Sequence, residues 1–347
     1  MEFQPQTKTI IFIGTGGVGK TTTAAAIAYG KAMEGHKVLV ITIDPSKRLA
    51  QAMNFTPNGK VQKLPIPKTK GSLYASTINH TQVFTDFLEK ASQKTAVEKD
   101  AKAIFKNKLF KQLSTKLSQS QDFTTLFYLY NHVESQVYDY VILDTPPAQH
   151  TLSFLKAPEK IAILFSDEIS SWFRISTEEE PSLIKKVLNQ GSLKVLNILQ
   201  LLTGSEFLNE LKSFFNLIQS WQKPLRDLIY DCQRLLVSPM TEFVLVTDFD
   251  QHKFNLAKEL SQRIHSDGYN LTHLIINMVP DWLDEKADYK HETIESFRKL
   301  YQSTFKNMAL QLSYFHKHLN VYKSYNLSQN LTHADLFKIY NQIRRID

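Results

Sequence analysis

The length, composition and charge of this chain exclude several classes of protein. It has 347 residues, of which 42% are hydrophobic and 22% charged, as in a globular protein of one enlarged domain or two. The one cysteine, Cys232, excludes an intrachain disulfide and a thiolate metal cage. Without a signal segment or an apolar run of bilayer length, the sequence predicts a cytoplasmic protein that is at most peripheral to a membrane.

Short apolar strands alternate with helices along most of the chain. The residue pattern predicts a helix over residues 20–34 and further helices within 82–137. The predicted strands are 9–13, 37–43, 73–78, 140–143, 242–247 and 271–277. This alternation indicates an α/β fold, a doubly wound and mostly parallel sheet with helices on both faces.

A lysine-rich stretch, residues 56–118, carries twelve lysines against four acids and accounts for the net charge of +7. Its simplest interpretation is a solvated face of surface helices. The alternative is a docking surface for an acidic partner, an anionic membrane or nucleic acid. Nucleic acid is not favoured, because few aromatic side chains interleave the lysines.

Residues 158–239 interrupt the alternation, since no strand is predicted there and residues 193–229 are apolar at helical spacing. A crossover between parallel strands needs far fewer residues. We therefore predict a helical subdomain at 158–239, inserted into a nucleotide-binding domain formed by 1–157 and 240–347.

The sequence GTGGVGKT at Gly14–Thr21 lies between a predicted strand and a predicted helix. This is the context of a phosphate loop, in which glycines let backbone N–H groups converge on phosphate oxygens. Lysine at position 20 would reach the β- and γ-phosphates, and the following threonine hydroxyl would ligate Mg²⁺. The predicted ATP-binding residues of the loop are Gly16, Gly17, Val18, Gly19, Lys20, Thr21 and Thr22.

Two aspartates, Asp44 and Asp144, directly follow predicted strands. The carboxyl ends of parallel strands share one edge of the sheet with the phosphate loop. Either aspartate taken alone could instead cap a helix. Together they favour a site in which Asp144 supports the magnesium ion and both carboxylates face the triphosphate.

The loop, the Asp44-Pro45 pair and the sequence DTPPAQHTL from Asp144 resemble the arsenite-pump and tail-anchored-protein-targeting ATPases, a deviant phosphate-loop family. The resemblance extends through 242–277 and implies that Asp44 activates the attacking water. It also implies that Pro147 and His150 lie in a second switch opened by Asp144, and that Asn277 hydrogen-bonds the adenine. Sequence alone also allows this asparagine simply to close a strand.

The chain departs from that family at three points. Threonine occupies position 15, where the family has the lysine that reaches a partner's nucleotide across a dimer, so a homodimer and its trans-activation stay open. Arg48 is a candidate to replace that charge. The single cysteine excludes an arsenite site built from several thiolates, and 153–239 contains no methionine, unlike the methionine-rich client grooves of the family.

Two functions therefore stand as alternatives for a magnesium-dependent ATP hydrolase. The first couples ATP and ADP states to an apolar segment of a client protein at the helical insert. The second is a partition-like ATPase that docks on nucleic acid or an anionic surface through the lysine-rich stretch. The long apolar insert favours the first, because a partition ATPase does not need it.

Overall fold

The computed structural model describes residues 1–43, 48–67, 69–93, 121–145, 148–164, 221–280, 295–296, 299–303, 306, 319–325 and 333–345. In this part of the chain nine strands form one sheet in the order β3-β4-β2-β5-β1-β6-β7-β8-β9. The strands are β1 Thr9–Gly14, β2 Lys37–Thr42, β3 Gln62–Leu64, β4 Ser72–Thr77, β5 Tyr140–Asp144, β6 Thr241–Asp248, β7 Leu271–Val279, β8 Asn320–Tyr325 and β9 Arg344–Arg345.

The helices between these strands complete an α/β fold. They are α1 Lys20–Met33, α2 Arg48–Ala52, α3 His80–Gln93, α4 Gln121–Glu134, α5 Ala148–Leu155, α6 Ala157–Leu164, α7 Gln222–Val237, α8 Gln251–Ser266 and α9 His333–Gln342. All pairings except β3–β4 and β8–β9 are parallel, so the predicted fold class is confirmed. Among the described helices, none has the length and apolarity needed to cross a bilayer.

The central strands are buried along their length, as their continuous apolar runs predict. Helix α1 packs closely against this sheet because much of its buried surface is alanine. It also packs against α9, which approaches so closely that a Cβ on Gly30 would lie 2.2 Å from the Tyr340 ring. The alanines and this glycine thus hold α1 in a fixed position, and with it the loop from which it begins.

The chain divides into two compact units. The first comprises residues 1–78, 129–153 and 234–347 and contains the sheet; the second comprises 79–128 and 154–233. Within the second unit, Phe87 of α3 packs edge-on against Phe123 and Phe127 of α4. Residues 165–220, most of the predicted insert, lie outside the described residues, so the insert at 158–239 stays a prediction.

At the amino-terminal edge of the sheet, the carboxylate of Glu242 is fully buried. It accepts hydrogen bonds from the backbone N–H of Gln4 at 2.8 Å, the Thr272 hydroxyl at 2.5 Å and the Thr7 hydroxyl, and it lies 3.4 Å from His273 Nδ1. Burial by itself raises the pKa of this carboxyl, but the hydrogen bonds favour the charged form more strongly and hold the pKa at about 2. The carboxylate therefore ties the N-terminal segment to β6 and β7.

We expect Glu242→Gln to lower the free energy of unfolding at neutral pH by about 2 kcal/mol, because an amide cannot accept all of these hydrogen bonds. The native carboxyl has a depressed pKa, so its contribution is present above the ordinary value of 4.5 and is lost as the pH falls toward about 2. The difference between the two proteins should therefore narrow in acid.

Urea unfolding at about pH 7 and about pH 3 measures this difference, with Glu259→Gln on the exposed face of α8 as control. The control should change the free energy of unfolding by less than about 0.5 kcal/mol. A difference between wild type and Glu242→Gln that is the same at both pH values would contradict the assigned role.

Candidate functional site

The turn from β1 into α1 depends on glycines with left-handed backbone conformations. Gly17 has φ 73° and Gly19 has φ 77°, a region that residues with a Cβ rarely adopt. Gly19 is also the N-cap of α1, and it provides no side-chain acceptor for the first turn, which contains no acidic residue. The first N–H groups of the helix are therefore not capped by a carboxylate and can receive an anion.

Asn277, near the end of β7, supports this turn. Its side chain is 7% exposed, and its Nδ2 donates to the carbonyl of Val18 at 2.9 Å. A Cβ on Gly19 would lie 2.2 Å from the same nitrogen, so only glycine fits between the loop and this amide. The structure thus places Asn277 against the phosphate loop, and its predicted contact with adenine stays a prediction.

The Lys20 side chain is buried at the base of the loop. It is 7% exposed, and its Nζ lies 3.4 Å from the carbonyl oxygen of Gly14, at the weak end of hydrogen bonding. The ammonium is consequently held under the loop, where it adds positive charge to the N-terminus of α1. Of the other predicted loop residues, Gly16 and Gly17 are exposed, Val18 is buried and Thr22 is half-buried on α1.

The carboxylate of Asp144 joins three elements of the site. Asp144 ends β5, is 1% exposed, and pairs in register with Phe12 of β1 and Thr42 of β2. Its Oδ2 accepts hydrogen bonds from the Thr21 hydroxyl at 2.8 Å and the Thr42 hydroxyl at 3.2 Å. The structure therefore brings together the two predicted metal-binding residues, Thr21 and Asp144.

Thr42 is a site residue that the sequence analysis missed. It is the last residue of β2 and is 2% exposed, so its sequence context indicates only a buried strand. The signal that could have revealed it was its polarity, since a buried hydroxyl normally has a hydrogen-bond partner. That partner is Asp144, whose carboxylate oxygen accepts from two hydroxyl donors on different elements.

Thr15 is buried, with 5% of its surface exposed. Its hydroxyl has no hydrogen-bond partner among the described residues. Its short uncharged side chain therefore lies within the protein rather than reaching outward from the loop. Asp44 and Pro147 lie outside the described residues, as do the side chains of His150 and Arg48, so their predicted roles stay predictions.

A comparison with protein families matches residues 7–325 to the model of the anion-transporting ATPases. The match covers strands β1 to β8 and the phosphate loop. The chain belongs to this family. The resemblance inferred from the three motifs is thereby confirmed, and so is the prediction of an ATP hydrolase at the level of the family.

Curated relatives differ in how much of this chain they match. "Putative arsenical pump-driving ATPase 2" of Aquifex aeolicus is 23% identical over 86% of this chain and 89% of its own length. "ATPase get3" of Schizosaccharomyces japonicus is 28% identical over 56% of this chain and 61% of its own length. "Putative arsenical pump-driving ATPase" of Halobacterium salinarum is 30% identical over 44% of this chain, but the match covers only 24% of that protein's length.

The contact between Gly19 and Asn277 predicts unequal costs for three glycine substitutions. Gly17, Gly19 and Gly268 all have left-handed φ, but a Cβ would meet nothing within 4 Å at Gly17 or Gly268. We expect alanine at these two positions to lower the free energy of unfolding by about 1 kcal/mol, the cost of the backbone conformation alone.

Gly19→Ala should cost about 2–3 kcal/mol, because the methyl group must also displace the Asn277 amide. Chemical denaturation without nucleotide measures all three variants under the same conditions. Gly268→Ala, just beyond the end of α8, is the control for backbone strain. Equal losses in the free energy of unfolding at all three positions would show that the Asn277 amide does not pack tightly against Gly19.

Proposed function

We propose that this chain binds ATP with Mg²⁺ at the phosphate loop, hydrolyses it, and couples the nucleotide state to the binding of an apolar segment of a client protein. The main support for ATP and Mg²⁺ binding is the hydrogen bond from the Thr21 hydroxyl to the Asp144 carboxylate. It lies beside a loop in which Gly17 and Gly19 have left-handed backbone conformations. Phosphate groups fit the uncapped N-terminus of α1, and Lys20 adds a cation at its base.

The donors at the site fit a magnesium ion. Mg²⁺ prefers oxygen ligands, and the Thr21 hydroxyl would bind it while the Asp144 carboxylate orders its shell. The bound ion would neutralise charge on the phosphate oxygens. Thr42 fixes the orientation of the carboxylate by donating to the same oxygen at 3.2 Å.

In the proposed reaction, a water oxygen attacks the γ-phosphorus and the bond to the β–γ bridging oxygen breaks, which yields ADP and phosphate. Asp44, placed by the sequence directly after β2 and Ile43, would orient this water and accept its proton. Lys20 would stabilise the charge that develops on the phosphate oxygens. Because Thr15 is uncharged and buried, we propose that any additional cation comes from elsewhere, with Arg48 as the candidate.

This reaction predicts different defects for two variants. Lys20→Ala should abolish ATP binding measured by calorimetry, because the buried cation at the loop is lost. Asp44→Asn should retain ATP binding but lower the turnover rate by about a hundredfold or more. Lys8→Ala, an exposed lysine at the other end of β1, is the control and should change neither quantity. Wild-type affinity in Lys20→Ala would refute the site, and wild-type turnover in Asp44→Asn would refute the role of Asp44.

The client-binding part of the proposal rests on chain continuity and on the family resemblance. Only residues 145–147 separate the end of β5 from α5, and α6 follows at Ala157. Phe154 and Leu155 of α5 are buried, so a shift of this helix would have to be accommodated by its packing. A change in the contacts of Asp144 on nucleotide binding would therefore be transmitted along the chain through α5 to residues 158–239.

Hydrogen exchange in the ADP state and with a non-hydrolysable ATP analogue tests this coupling. We expect the protection of residues 151–236 to differ between the two states, because an apolar surface is exposed in one of them. The Lys20→Ala variant is the control and should show no difference. Equal protection of this region in wild type would mean that the insert does not respond to nucleotide, even if ATP is hydrolysed.

No observation on the described residues favours docking on nucleic acid or an anionic surface. Residues 94–120, which include much of the lysine-rich stretch, lie outside them, and the described part of the stretch contains β3, β4 and α3. A homodimer and cytoplasmic localisation stay predictions from the sequence and the family.

A further inference from the structure

Asp248, the last residue of β6, lies at the carboxyl edge of the sheet beside the phosphate loop. Strand β6 pairs with β1 so that Val246 lies opposite Gly14, where the loop begins, and Asp248 comes two residues later. On its other side Asp248 pairs in register with Asn277 of β7. Register-paired residues of parallel strands are about 4.8 Å apart and project to the same face. The carboxylate is therefore a neighbour of the amide that contacts Val18.

The two oxygens of the Asp248 carboxylate differ in their hydrogen bonding. Oδ2 lies 2.5 Å from the ammonium of Lys253, in the first turn of α8. Oδ1 is buried and accepts no hydrogen bond from the described residues, although Asp248 is only 7% exposed. Buried carboxylate oxygens normally have donors, so an oxygen without one at the edge of a ligand site indicates a place for a donor from the ligand.

The order of the strands sets the direction in which a bound nucleotide extends, given the proposed function. The metal-binding residues Thr21 and Asp144 lie on the β5 side of β1, so the terminal phosphate belongs on that side. The nucleoside then extends to the other side of β1, where β6 and β7 end. Asp248 and Asn277 are polar, mostly buried side chains at these two strand ends.

We infer that Asp248 is a specificity-determining residue for the nucleobase: its Oδ1 accepts a hydrogen bond from the exocyclic amino group of adenine. A carboxylate can only accept, and the 6-amino group is a donor on the edge of the base. Lys253 holds the other oxygen and so fixes the orientation of the carboxylate. This inference rests on the proposed nucleotide site and assigns a residue on β6 to the selection of the base.

Calorimetric titration with ATP and with purine riboside triphosphate, which lacks only the amino group, tests the inference. We expect wild type to bind ATP about ten- to a hundredfold more tightly, the usual effect of a hydrogen bond to a charged group. In Asp248→Ala this ratio should fall to within about threefold. Titration with 2′-deoxy-ATP distinguishes the ribose, and its ratio to ATP should be the same in both proteins.

Asp250→Asn is the matched control, because it removes a negative charge two residues away and asparagine caps a helix as well as aspartate. It should leave the ratio of ATP to purine riboside triphosphate unchanged. The wild-type ratio needs no variant, so the inference stays testable even if Asp248→Ala fails to fold. Its thermal unfolding without nucleotide shows whether it folds.

Equal wild-type affinity for ATP and purine riboside triphosphate would overturn the inference, and so would an Asp248→Ala variant that keeps the wild-type ratio. A change in the ratio of ATP to 2′-deoxy-ATP alone would also overturn it, since the carboxylate would then contact the ribose. These outcomes differ from failure of the proposed function, in which wild type would bind none of the three nucleotides.

Discussion

The arrangement of the site depends on the burial of one carboxylate, that of Asp144. A carboxylate that is 1% exposed must be satisfied by donors or positive charge, because its desolvation is otherwise too costly. Two other elements supply hydroxyl donors, Thr42 through its register with Asp144 on the neighbouring β2 and Thr21 from the first turn of α1. These contacts fix the distance between the start of α1 and the ends of β5 and β2, and with it the space available to the proposed phosphate and metal ion.

Buried charged groups are stabilised in different ways at the two edges of the sheet. At the amino-terminal edge, Glu242 is surrounded by donors of the protein, so the charge is satisfied internally and contributes to stability. At the carboxyl-terminal edge, the charges of Lys20, Asp144 and Asp248 lie beside a loop with uncapped N–H groups. Among these groups, Asp248 Oδ1 accepts no hydrogen bond from the described residues, as is expected of a carboxylate at a ligand site.

One departure from the family pattern lies within the phosphate loop itself, at position 15. Thr15 is buried and uncharged, which removes the lysine that the family resemblance places in this loop. Cys232 is buried as well, so the one thiol of the chain is not available at the surface.

The amino-acid sequence alone was enough to predict the fold class, the turn from β1 into α1 and the position of Asp144 at the end of β5, because each has a local signal. The apolar strand, the glycines that follow it and the alanine-rich helix after them all lie within a segment of about thirty residues, so the local sequence is enough to recognise them. The six predicted strands are present, while the short edge strands β3 and β9 and the polar strand β8 were missed, since none has a continuous apolar run.

Which polar residues come into contact could not be predicted from local sequence. Thr21 and Asp144 are 123 residues apart in the chain, Asn277 and Val18 are 259 apart, and Thr42 reaches Asp144 across 102 residues. These contacts follow from strand order and register, which are set by the packing of the whole sheet rather than by local preference. For the same reason Asp248 reads in the sequence as an ordinary strand end, and its position beside Asn277 emerges only when β6 and β7 pair.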